Sequence, residues 1–273
     1  MVRSGISIII ALFFLASCSG CLNQNKPENA AEEANKPLMS GDTTDLETSG
    51  EMLTSTNNDS AIRLEPGGKV KIPFGNQKLD NSPEIRNTVE YHYKRGLVLF
   101  QISKYEDGIK EFDTVISMDP KMGKAYINRG TAWMELKNYP EATKDFQKAI
   151  SLNNSDSLAY LNLGLAYLYQ GNFTGAIEAN TKLISLTPTD AKAFFNRGFA
   201  YGQIKDFKNA ISDFDQAIRV APQDFEVHVA RAAFRVRIGN LPGAREDLTN
   251  AKAVADEATA AKIGQMLERL GAP

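Results

Sequence analysis

Residues Ala125-Tyr126-Ile127-Asn128-Arg129-Gly130-Thr131-Ala132-Trp133, then Tyr139-Pro140-Glu141-Ala142 and Phe146-Gln147-Lys148-Ala149-Ile150, decide how this chain is read. Apolar and small residues recur there at helical spacing on both sides of Lys137-Asn138. That is the pattern of two amphipathic helices joined by a tight turn. The stretch then returns along the sequence. Gly96, Gly130, Gly164 and Gly198 stand 34 residues apart, with Ala232 at the next step. Tyr105, Tyr139, Phe173, Phe207 and Leu241 form a second register, and Gly108, Ala142, Ala176, Ala210 and Ala244 a third. Phe112, Phe146 and Phe214 form a fourth, broken by Asn180 and Leu248. Pro120, Pro188 and Pro222 mark the ends of units, with Asn154 in the remaining place.

Five units follow: 89–122, 123–156, 157–190, 191–224 and 225–258. One helix pair cannot bury its own apolar face, so neighbouring pairs must stack into a superhelix. Small residues at the Gly96 and Gly108 registers let the paired helices approach closely. Aromatic residues at the Tyr105 and Phe112 registers fill the space around them. The last unit needs a cover, and Ile263, Met266, Leu267 and Leu270 supply one at helical spacing, so 259–273 reads as a capping helix and tail. The first unit has no evident cap unless residues 62–72 provide it.

The pattern resembles the tetratricopeptide repeat (TPR) family over about 170 residues without an insertion. The resemblance implies an all-α fold. It would be a right-handed TPR superhelix, an α-solenoid of five helix-turn-helix repeats, closed by the C-terminal capping helix.

Comparing the repeats with one another exposes a correlated pair of positions. The seventh residue of each unit is Arg95, Arg129, Leu163, Arg197 and Arg231. The twenty-third is Glu111, Asp145, Ala179, Asp213 and Asp247. Arginine accompanies a carboxylate, and leucine accompanies alanine. Four structural ion pairs between helices are expected, because a guanidinium binds a carboxylate in a fixed two-pronged geometry. The partner would lie in the same repeat or the adjacent one.

The N-terminus has a different texture. Arg3 and the amino terminus precede an apolar run from Ile6 to Ala16, interrupted by Ser7. Such a run is shorter than the ~20 residues a membrane span needs and suits a signal peptide over 1–17. Leu15-Ala16-Ser17-Cys18 resembles the lipobox of bacterial lipoproteins, which makes Cys18 the expected lipidation site. The alternative is a plain secretory signal. Acyl chains on Cys18 would anchor the protein to a membrane. Ser19 would then direct it to the outer membrane, facing the periplasm, if the envelope is Gram-negative. Residues 18–88 read as the lipidated N-terminus and a flexible tether. No aromatic residue occurs between Phe14 and Phe74, and residues 19–88 carry 7 Lys+Arg against 11 Asp+Glu. Such a chain cannot bury enough apolar surface to offset its ordering entropy. Within it, 62–72 alternates apolar and polar residues around Pro66-Gly67-Gly68, a hairpin signal. Unless docked, it would be a transient kink.

Composition narrows the function. The chain has 273 residues and a net charge of −2, which argues against a nucleic-acid partner. Two cysteines and two histidines are too few for a disulfide framework, a structural zinc cluster or His-based catalysis. His92 and His228 lie four repeats apart and both read as packing residues. Asp213 and Asp215 read as exposed helix residues where chemistry is concerned. No nucleophile elbow or phosphate-binding loop is present. No enzyme activity, cofactor or metal is expected.

The concave face remains. Its first helices place Lys94, Asn128, Asn162, Asn196 and Ala230 at the sixth position. The asparagines resemble the asparagine ladder of peptide-binding TPR superhelices, in which a carboxamide donates to and accepts from a peptide backbone. The competing expectation is that each asparagine bonds within its own repeat. Tyr93, Ile127, Leu161, Phe195 and Val229 form the neighbouring apolar column, extended by Leu165, Tyr169 and Phe199. The expected function is a membrane-anchored, non-catalytic adaptor of the bacterial cell envelope, holding a protein or peptide partner in this groove. Resemblance to other TPR lipoproteins implies an assembly factor of pilotin type or a recruiter of envelope hydrolases and proteases. A self-associating lipoprotein that buries the groove in a homodimer is the alternative.

Overall fold

The computed structural model describes residues 63–65, 69–71 and 87–271. The signal peptide, Cys18 and most of the expected tether lie outside them. The chain divides into two compact units. One holds a short hairpin, β1 (Arg63–Glu65) and β2 (Lys69–Lys71). The strands run antiparallel, with Arg63 opposite Lys71, Leu64 opposite Val70 and Glu65 opposite Lys69.

The other unit holds eleven helices among the described residues. They are α1 (Val89–Gln101), α2 (Tyr105–Met118), α3 (Gly123–Glu135), α4 (Tyr139–Leu152), α5 (Ser157–Tyr169), α6 (Phe173–Leu186), α7 (Ala191–Gln203), α8 (Phe207–Val220), α9 (Phe225–Arg237), α10 (Leu241–Val254) and α11 (Glu257–Arg269). Each odd-numbered helix from α1 to α9 packs on the helix that follows it, and each pair packs on the next. The architecture is an all-α superhelix of repeats.

One local device sets the pairing angle in every repeat. The residue after each first helix's cap takes a left-handed conformation: Ser103, Lys137, Gly171, Lys205 and Gly239, with φ between 58° and 77°. The next amide then reaches back five residues, as in Lys104 N–H to the Leu99 carbonyl at 2.8 Å and Asn138 N–H to the Trp133 carbonyl at 2.8 Å. This is the Schellman closure, which satisfies carbonyls that the helix end leaves unpaired.

The core follows the registers. Phe112, Phe146 and Phe214 are fully buried. Two of the rings lie on the glycine of the facing helix: a Cβ on Gly96 or Gly130 would stand 2.7 Å from the Phe112 or Phe146 ring. Alanines fill the tightest places between helices, among them Ala125, Ala132, Ala166 and Ala200. At the C-terminus α11 buries Ile263 and Met266, with Leu267 and Leu270 partly buried, against Leu248 and Ala251. Arg245 of α10 donates to the Leu270 carbonyl at 2.9 Å, which ties down the end of this capping helix.

Two smaller expectations change. Asp213 is not an exposed helix residue, because the Arg197 guanidinium reaches it at the helix interface, where it is 5% exposed. His92 is more than packing: its Nδ1 stands 2.7 Å from Glu111 Oε2. His228 is buried, and its Nε2–H donates to the Pro222 carbonyl at 3.1 Å. Tyr126 donates to Pro120 from the same register.

Candidate functional site

The first helices of the repeats, α1, α3, α5, α7 and α9, carry the residues of the expected groove. Their fifth, sixth and ninth positions share one face of each helix by the helical period. The structure sorts these residues into three groups.

Some belong to the core. Ile127 is 4% exposed and Phe199 is 8% exposed, with the Phe199 ring centred 6.4 Å from that of Phe234. These two are corrected from groove wall to packing residues. Sequence position alone missed this because it does not record the neighbours: Phe199 packs against Phe234 of the next repeat, and Ile127 joins the buried cluster that holds Phe146 and Leu163.

Others are already engaged. Asn128 Nδ2 donates to the Tyr93 hydroxyl at 2.9 Å, one repeat away. Burial pushes the Tyr93 phenol up, and the bond from Asn128 opposes it. Asn128 therefore joins repeats one and two, an option between repeats that neither expectation contained. Tyr169 stacks on Tyr139 with centroids 4.9 Å apart and rings 8° from parallel. Burial raises its phenol to about 12. Gln170 fixes this contact by donating to the Tyr139 carbonyl at 2.9 Å and to the Thr143 hydroxyl. Lys94 is 2.5 Å from Glu90 in its own helix.

The third group lies on α5 and α7: Leu161, Asn162, Leu165, Phe195 and Asn196, all partly buried. Phe195 rests edge-on against Phe214, with centroids 5.8 Å apart. Neither Asn162 nor Asn196 has a hydrogen-bond partner among the described residues. The patch carries no charged side chain. It offers two unsatisfied donor–acceptor groups framed by apolar surface, which suits an uncharged extended segment whose backbone amides need partners.

The ion pairs form a scaffold behind this face. Arg129 donates from Nε to Asp145 Oδ2 at 2.8 Å and from Nη2 to Oδ1 at 2.6 Å. Arg197 holds Asp213 through two bonds of 2.8 Å. Arg231 reaches Asp247 at 2.5 Å, and Arg235 reaches the same carboxylate at 3.1 Å. Arg95 is a looser version, 3.3 Å from Glu111 and half exposed. In the third repeat Leu163 and Ala179 are buried instead. Burial lifts the Asp145 and Asp247 carboxyls above the usual carboxylate range, more than their arginines pull them down.

A further partner was missed. The Nη1 of three of the four arginines bonds backwards to the preceding repeat: Arg129 to Asp113 at 2.6 Å, Arg197 to Thr181 at 3.1 Å and Arg231 to Asp215 at 2.5 Å. Each of these three guanidinium groups thus spans two repeats. The signal was present at the twenty-fifth position, where Gln147 precedes Leu163 and a hydroxyl or carboxylate precedes Arg129, Arg197 and Arg231.

Among the described residues, no group of three or more His, Cys, Asp or Glu side chains could hold a metal ion. No described helix is long and apolar enough to cross a membrane.

Known proteins offer a comparison. The family model "Tetratricopeptide repeat" matches residues 123–156 and 191–224, and the model "TPR repeat" matches 166–205. No curated protein matches the chain. Among solved structures, MamA (residues 41 to the end) from Desulfovibrio magneticus RS-1 is similar at 17% identity and a TM-score of 0.59. That match covers 61% of this chain and 94% of the other. YrrB, described as a TPR protein with an unusual peptide-binding site, is similar at 18% identity and a TM-score of 0.56, over 67% and 94% of the two chains. A thermophilic TPR protein of Thermus thermophilus follows at 15% identity and 0.53, over 66% of this chain and all of its own. At these identities the likeness is one of fold.

Proposed function

We propose that this chain, a tetratricopeptide-repeat protein, is a non-catalytic adaptor that holds a partner protein through an extended segment seated on α5 and α7. The observation that carries the reading is the pair Asn162 and Asn196, unpartnered in an uncharged, partly apolar face. A peptide-binding site is named for YrrB, whose fold this chain shares. The contact would work as follows. Each carboxamide pairs with one backbone amide of the partner, whatever its side chain. Leu161, Leu165 and Phe195 take up its apolar side chains and exclude water, which strengthens those hydrogen bonds.

The reading extends to location. The apolar run Ile6–Ala16 and the Leu15-Ala16-Ser17-Cys18 motif support a lipid anchor at Cys18 in a bacterial envelope. The acidic stretch 19–88 supports a tether that lets the superhelix reach its partner.

The test is a crosslinked pull-down from envelope membranes, comparing the native chain with Asn162→Ala/Asn196→Ala after circular dichroism shows both fold. A partner captured by the native chain and lost in the variant supports the reading. Equal capture by both contradicts it. Light scattering of the mature chain separates a second case, in which a homodimer occupies the same face.

A further inference from the structure

The third repeat departs from its neighbours at two positions that lock a helix pair, the phenylalanine register and the guanidinium clamp. Among the described residues its hydrogen-bonded link across the pair is a single hydroxyl bond of 3.1 Å between Ser157 and Thr187, at one end. The fully buried phenylalanine register is occupied by Asn180, itself 0% exposed. Its Nδ2 donates to the Ala176 carbonyl at 2.8 Å, inside its own helix, so it makes no bond across the pair. Its Oδ1 is buried with no partner among the described residues. Where the Phe112 and Phe146 rings cover Gly96 and Gly130, only this carboxamide covers Gly164. The guanidinium clamp is also missing, because Leu163 and Ala179 stand where Arg129 and Asp145 stand in the second repeat. What remains across this pair is small and apolar: Ala159, Leu163 and Ala166 of α5 share a buried cluster with Ala179 of α6.

We infer that the contact between α5 and α6 is a flexible joint, at which the superhelix opens locally and changes curvature. A buried acceptor without a donor favours any state in which water reaches it. Losing the ring removes packing contacts that would oppose such opening, and the uncharged Leu163–Ala179 pair fixes the geometry of the two helices less closely than a two-pronged clamp does. Asn162 and Asn196 lie on α5 and α7, to either side of α6. If they bind a partner as proposed above, flexing at the joint adjusts their spacing to it. That consequence rests on the proposed function, while the joint itself does not.

Native-state hydrogen exchange of the free chain tests the joint without any ligand. In a linear array the middle repeat has a neighbour on each side and should be the best protected, while the ends fray. The joint reverses that order. Amides of α5 and α6 should exchange about tenfold faster than those of α3, α4, α7 and α8. Asn180→Leu, which copies the fully buried Leu248 of the fifth repeat, should remove most of that difference. Asn180→Phe, which copies Phe146, is the second variant. Protection in α5 and α6 equal to or above that of their neighbours in the native chain overturns the inference. So does a folded leucine variant whose α5 and α6 amides exchange as fast as before.

Discussion

Arg129 and Asp145, sixteen residues apart, close a two-pronged ion pair of 2.8 and 2.6 Å at the interface of α3 and α4. The carboxylate is 4% exposed, and burial outweighs the guanidinium in setting its protonation. The pair therefore specifies geometry more than it adds stability. The third repeat supplies the comparison, since Leu163 and Ala179 fill the same places without charge. Asp145→Ala alone should destabilise by ~1–3 kcal/mol, because it leaves a part-buried guanidinium with Asp113 as its one carboxylate. Arg129→Leu/Asp145→Ala together should lie within ~1 kcal/mol of the native chain or be more stable. Urea unfolding of the three chains checks this, and a double variant as weak as the single one would contradict it.

Gly202 lies beneath Phe234, and a Cβ there would overlap the ring. Phe234 is 1% exposed and stacks on Phe214 with centroids 5.5 Å apart, so it has nowhere to move. In an unconstrained helix Gly→Ala stabilises by ~1 kcal/mol. Here Gly202→Ala should destabilise by ~1–3 kcal/mol. The sign of the shift in Tm decides between the two.

Lys137 and Lys205 occupy left-handed turn positions, with φ of 58° and 64°, where other repeats use Gly171 and Gly239. A side chain costs ~1 kcal/mol in that conformation. Lys205→Gly should raise Tm modestly, and a lowered Tm would show that the lysine contributes through contacts outside the backbone.

Asp256 caps α11, accepting the Thr259 backbone N–H at 2.9 Å and the Thr259 hydroxyl at 2.9 Å. These bonds hold its carboxyl below the ordinary 3.8. A depressed folded value means the contribution is complete above 3.8 and disappears as the pH falls through the lower folded value. Asp256→Ala should therefore lower Tm at neutral pH. The gap to the native chain should close on acidification through that range, as followed by thermal unfolding at several pH values.

Much of this was legible in the sequence. The spacing of Gly96, Gly130, Gly164 and Gly198 reports a backbone approach that only small residues permit, so period and fold follow together. The alternation of Arg with Asp, and of Leu163 with Ala179, reports a contact because a buried charge cannot be left alone. The second partner of Arg129 and of Arg231 was harder to see, since Asp113 and Asp215 on an exposed helix face look like ordinary solvated charges. The groove was the least legible. Position in a helix places Ile127 and Phe199 on its wall, but it does not record which neighbouring side chains close over them. It also could not show that Asn128 is taken by Tyr93, because that bond depends on the stagger between two repeats.

The central claim is that partner binding occurs on the face shared by α5 and α7. The most direct measurement is photo-crosslinking in envelope membranes from a reactive residue placed at Leu165, compared with one placed at the exposed Lys182 on α6. The account predicts a discrete crosslinked partner from position 165, lost when Asn162 and Asn196 are alanine, and none from position 182. Crosslinks of equal yield from both positions, unaffected by the asparagine substitutions, would contradict it.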